Sequence, residues 1–149
     1  MGHFRLKASV LVMSLILTGI FMHLLSPPNK LDVRFFYSVT EAQEFFHRLS
    51  IHEIRNYFFG ELLDLFFILN YSALSFLLFQ SYFSKKEKWV LFLPGFIDVV
   101  ETGSILLTLK GHQISLFLLS LSTLAKWCSG VLVLVFLLYK VFQRRRIDA

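Results

Sequence analysis

The stretch 89-WVLFLPGFIDVVETGSILLTL-109 decides how this chain is to be read. It is long enough to cross a bilayer as a helix, which takes about 20 apolar residues. Two carboxylates, Asp98 and Glu101, nevertheless sit near its middle. Charges at that depth are rare; they face a bundle interior and pair there. The run therefore predicts a membrane helix with one polar, inward face, and its partners must come from elsewhere in the chain.

Three further apolar runs stand beside it, at 8–25, 57–83 and 114–142. Of the 149 residues 56% are hydrophobic and only 17% charged, where soluble domains hold about 45–50% and about 25%. Mean hydropathy is +0.64. Four spans leave no residues for a soluble domain. The expectation is an all-α polytopic membrane protein, one four-helix transmembrane domain over 1–149, with an outer segment at 26–56.

The net charge of +5 is unevenly placed. Arg5, Lys7, Lys85, Lys86, Lys88, Lys140, Arg144, Arg145 and Arg146 all flank helix ends on one side of a four-span arrangement. The other side holds Lys30, Arg34, Arg48, Arg55 and Lys110, diluted by Asp32, Glu41, Glu44 and Glu53. The positive-inside rule then places both termini in the cytoplasm of a bacterial inner membrane. Arg144, Arg145 and Arg146 also suit anionic lipid headgroups. Nucleic acid is excluded as a partner, since no folded basic surface surrounds these residues. The single cysteine, Cys128, rules out an intramolecular disulfide and a cysteine-based zinc site. The basic start and the 8–25 run read as an uncleaved signal anchor, since no small-x-small cleavage site follows.

Local signals divide the remainder. Pro27 and Pro28 end the first helix. Ser38 with Glu41, and Thr40 with Gln43, are overlapping capping boxes. Ala42, Phe45, Phe46 and Leu49 follow at helical spacing, so a short amphipathic helix is expected on the bundle or the membrane surface. Phe35, Phe36 and Tyr37 suit an interfacial aromatic belt, and Trp89, Tyr82 and Tyr139 suit the opposite interface. Ser50 with Glu53 opens a helix expected to run to residue 83. The links SKKEK and KGHQ are short enough to make helices two, three and four antiparallel neighbours. Pro94-Gly95 predicts a kink in the third span.

Depth and face single out the candidate site. Counting inward from the outer ends at Tyr57, Leu109 and Ile114, Asp64 and Glu101 fall in one layer. Asp98, Lys126 and Asn70 fall in a deeper one. At 100° per residue Glu61, Asp64 and Tyr71 share a face of helix two, and Asp98, Glu101 and Thr102 share one on helix three. Ser115, Ser122, Lys126 and Ser129 share one on helix four. Lys126 with Asp98 is the expected ion pair, and Arg55 is placed to reach Glu61 or Asp64. The candidate ligand or proton site is thus Asp64, Asp98, Glu101, Lys126, Glu61, Asn70, Tyr71 and Arg55, opening toward the outer face.

Four functions fit such a cluster. It can be a structural network that fixes helix pairing. It can be a binding or translocation site for a proton, a cation or a small ligand, within a homo-oligomer because four spans are few for a transporter. It can be a carboxylate-metal enzyme, since Glu61-x-x-Asp64 and Asp98-x-x-Glu101 each place two acids one turn apart. Di-metal bundles also use Glu-x-x-His; no histidine stands at that spacing here, and only His23 lies near enough to join. It can belong to an accessory subunit of a larger membrane complex. No motif implies a resident cofactor or metal.

The segments RNYFFGELLDLFFILNYSALSFLL (55–78) and LPGFIDVVET (93–102) resemble small four-helix bacterial membrane proteins. Their pattern is Arg-x-x-Tyr and an Asp in helix two, then Asp-x-x-Glu-Asn in helix three. Asn56–Tyr57 match with Arg55 displaced by one, followed by Asp64, Asp98 and Glu101, while Thr102 stands where Asn is usual. The resemblance implies a four-helix membrane fold and draws attention to Asp64, Asp98 and Glu101. It brings no activity with it.

Overall fold

The computed structural model describes residues 2–27, 30–31, 34–112 and 115–147. Pro28, Asp32 and Ile114, used in the sequence reading, lie outside the described residues, as do the side chains of Arg145 and Arg146. Five α-helices account for most of the chain: α1 Gly2–Leu25, α2 Val39–Arg48, α3 Ile51–Phe79, α4 Leu93–Leu109 and α5 Leu116–Ile147. There is no strand among the described residues. Four helical segments are long and apolar enough to cross a membrane: Phe4–Leu25, Ile51–Tyr82, Glu87–Leu109 and Leu116–Arg144. The protein is an all-α, multi-pass membrane protein. In lipid a helix satisfies every backbone polar group internally, which is why such a chain spans as helices.

The helix ends follow the local chemistry. α1 stops where Pro27 has no N–H to continue it, and Ser26 N donates back to Met22 O at 2.9 Å. Of the two overlapping capping boxes before α2, the structure uses Ser38 with Glu41: Ser38 N donates to Glu41 Oε2 at 2.6 Å and Glu41 N to Ser38 Oγ at 3.2 Å. Ser50 and Glu53 repeat the device at α3, at 2.8 and 3.3 Å. The end of α3 tightens into a 3-10 turn at Gln80–Tyr82. A second 3-10 turn, Glu87–Phe92, leads into α4.

That second turn corrects one expectation. Pro94 lies in the first turn of α4, where its missing N–H has no helical acceptor to lose. The third span is therefore a 3-10 entry followed by a helix, and Pro94 marks the start of that helix. At the other end Gly111 takes a φ of +82°, a left-handed conformation that closes the helix.

α1 packs along α3, α3 on α4, and α4 on α5. The four spans form a row in the order α1–α3–α4–α5, and α1 and α5 have no substantial contact with each other. The amphipathic α2 lies on α5, over the end of the bundle away from the two termini. Its Ala42, with Leu31 and Tyr37, joins Tyr57, Ile105 and Leu119 in a fully buried cluster, and Phe45, Phe46 and Leu49 pack around it. Phe35 and Phe36 are exposed, as an interfacial belt requires. Tyr37 departs from that expectation, because it is fully buried. The outer segment is thus a fitted cover over the bundle.

Candidate functional site

The polar faces of α3, α4 and α5 meet in one cluster. Lys126 is its hub: Nζ lies 2.5 Å from Glu101 Oε2 and 3.1 Å from Asp98 Oδ1. Tyr71 donates its hydroxyl proton to Asp98 Oδ2 at 3.1 Å. Thr102 Oγ1 donates to Asp64 Oδ2 at 2.7 Å. Thr123 Oγ1 donates to Glu101 Oε1 and lies 3.1 Å from the Tyr37 hydroxyl. The Lys126–Asp98 pair expected from the sequence is present, and Glu101 binds the same ammonium more closely. An ammonium carries three donors, so one lysine can join both acids.

Close helix approach makes this possible. A Cβ built on Gly95 would collide with Ser72 Oγ and stand 3.5 Å from the Tyr71 hydroxyl. The glycine lets α4 press onto α3 just where Tyr71 reaches Asp98. On α5, Ser120 donates to Tyr37 O, and Trp127 Nε1 donates to Arg34 O at 2.9 Å. These bonds tie the outer cover to the helix that carries Lys126.

The cluster has two unequal halves. Glu101, Thr123 and Tyr37 are fully buried, and Lys126 closes the group from one side. On the other side Asp64, Tyr71, Asp98 and Lys126 line a cavity of about 380 Å³. Lys30 shares that lining, with Met22 of α1, Phe67 of α3 and Trp127 of α5. Residues of α1, α3, α4 and α5 all border this cavity. Tyr37, Tyr57, Leu31 and their neighbours fill the end of the bundle under α2, and Lys30 of the segment between α1 and α2 reaches the lining of the cavity.

Of the eight candidate residues, Asp64, Tyr71, Asp98, Glu101 and Lys126 come together, and Glu61 is fully buried on the same face of α3, one turn nearer the outer end. Two do not join. Asn70 shares the depth of Asp98 but turns away, donating to Phe66 O at 2.8 Å and lining a separate groove with Ser14 and Thr18 of α1. Arg55 is exposed on the first turns of α3. Their depths fit, but an α-helix rotates 100° per residue, and both point off the buried face. His23 is likewise exposed. Among the described residues, no group of three or more His, Cys, Asp and Glu could hold a metal ion.

Sequence reasoning missed four contributors. Lys30 was counted only as a loop charge, and Tyr37 only as a belt aromatic. Thr123 carries a readable signal, since it stands three residues before Lys126 and hence on nearly the same helix face. Trp127 carries none, because what holds it is a backbone carbonyl brought near by the fold. No family model matches the chain, and no curated protein or solved structure proved similar to it.

Proposed function

We propose that the chain is a multi-pass protein of a bacterial cytoplasmic membrane, both termini inside, that binds a small cation-bearing molecule entering from the lipid. The single observation that carries this reading is the cavity bordered by α1, α3, α4 and α5, in which Asp64 and Asp98 stand among the rings of Phe67, Tyr71 and Trp127. Carboxylates set among aromatic faces suit an ammonium group, through charge and through cation–π attraction. The apolar walls suit a ligand that partitions into the bilayer before it binds.

A purely structural network is the second reading, favoured by the fully buried Glu101 half. Thermal unfolding in detergent separates the two. Benzyltrimethylammonium should raise the melting temperature of the wild type while benzyl alcohol, its uncharged counterpart, should not, and Asp98→Asn should abolish the effect. Equal behaviour of the two probes, or full protection in Asp98→Asn, would leave the structural reading. The orientation has its own check: a C-terminal reporter active only outside the cytoplasm should stay silent.

A further inference from the structure

We propose a second, independent site: a groove for one anionic phospholipid between α1 and α3, at the end of the bundle that carries both termini. The groove measures about 640 Å³, and its walls are almost wholly apolar, with Val10 and Leu11 facing Ala73, Phe76 and Leu77. Leu6 and Val10 are exposed beside it, so in a membrane lipid chains are what the groove meets. Its mouth differs from its walls. Lys7 and Gln80 line that end, and Lys88 Nζ stands 6.0 Å from the centroid of the Phe76 ring, which forms part of the wall. One ammonium group and a carboxamide line that end, and a second ammonium stands over a ring of the wall, where an acyl chain lying in the groove would present its headgroup.

Trp89 fixes the level of that mouth. The residue is 75% exposed, its ring centroid lies 6.0 Å from that of Phe92, and Phe92 also lines the groove. Tryptophan at the edge of a span belongs at the headgroup layer. Lysines at that layer attract anionic lipid through the surface potential. The other groove on α1 and α3, of about 650 Å³, supplies the internal contrast. Ser9, Ser14, Thr18 and Asn70 are its polar residues, and it has no charged lining among the described residues. Shape is common to both grooves, and the cationic mouth is particular to one.

The test uses the full chain purified in mild detergent and freed of lipid. Phosphatidylglycerol and phosphatidylcholine with identical acyl chains are added at equal concentration, and inorganic phosphate is added separately. Thermal unfolding and native mass spectrometry report protection and retained lipid. Phosphatidylglycerol should protect more than phosphatidylcholine and be retained severalfold more. The Lys7→Gln/Lys88→Gln variant should lose that preference, while Lys85→Gln/Lys86→Gln, which removes the same charge beside the groove, should keep it. Ala73→Phe, which fills the groove and leaves every charge, should weaken retention of both lipids. Equal protection by the two lipids in the wild type would overturn the proposal. So would loss of preference in Lys85→Gln/Lys86→Gln to the same degree, unimpaired retention in Ala73→Phe, or protection by inorganic phosphate alone.

Discussion

The two sides of Lys126 differ more than their composition suggests. Each offers the ammonium a carboxylate, and each carboxylate takes a hydroxyl from a neighbouring helix. On one side Glu101 is fully buried, Thr123 is its donor, and Tyr37 seals the group. On the other side Asp98 is slightly farther away and its donor, Tyr71, stands at the wall of a cavity. Taking an ion pair out of water is expensive and is recovered only with close geometry and further hydrogen bonds. The Glu101 side meets both conditions within the protein. The Asp98 side meets them at the wall of a cavity. One charge network thus has a sealed half and a half that borders open space.

The largest test removes the hub. Lys126→Met leaves Glu101 buried without its cation, and breaking a buried pair from one side costs about 3–5 kcal/mol. Detergent unfolding should show that loss, and Lys126→Met/Glu101→Gln should recover much of it. A smaller effect belongs to the seal. Tyr37→Phe deletes the hydroxyl that meets Thr123, at a cost of about 1 kcal/mol, and the same assay reads it. Asp98→Asn should cost less than that, because Lys126 keeps Glu101 and Tyr71 can still donate to the amide oxygen.

The smallest effect concerns the cover alone. The Ser38 backbone and hydroxyl hold the Glu41 carboxyl below its usual range, with a lesser contribution from Arg34. A carboxyl whose folded pKa is depressed adds stability above its unfolded pKa and loses it as pH falls through the folded value. The start of α2 should therefore loosen only below the normal carboxylate range. Fluorescence of Trp127, which bonds Arg34 O next to that helix, should report it in a Trp89→Phe background, and Glu41→Gln should flatten the pH dependence.

Much of this was legible in the sequence because bilayer thickness and helical periodicity constrain the same residues. Length and hydropathy located the spans. The capping boxes at Ser38 and Ser50 located α2 and the start of α3. Depth and angle together brought Asp64, Tyr71, Asp98, Glu101 and Lys126 to one place. Where only one of these criteria was applied, the reading failed: Asn70 and Arg55 were chosen by depth or reach, and their angles turn them away. Tyr37 and Lys30 were beyond reach for another reason. Nothing local dictates how an irregular segment folds back over a bundle, and bonds to Ser120, Thr123 and Trp127 settle it only after the helices have assembled. Pro94 shows that a proline inside an apolar run can mark the first turn of a helix as readily as a kink.

The central claim, that the two sides of Lys126 are unequal, is tested most directly by two double-mutant cycles on detergent unfolding. One couples Lys126→Met with Glu101→Gln, the other Lys126→Met with Asp98→Asn. The coupling energy between Lys126 and Glu101 should lie well above that between Lys126 and Asp98. Equal couplings, or a stronger one to Asp98, would contradict it.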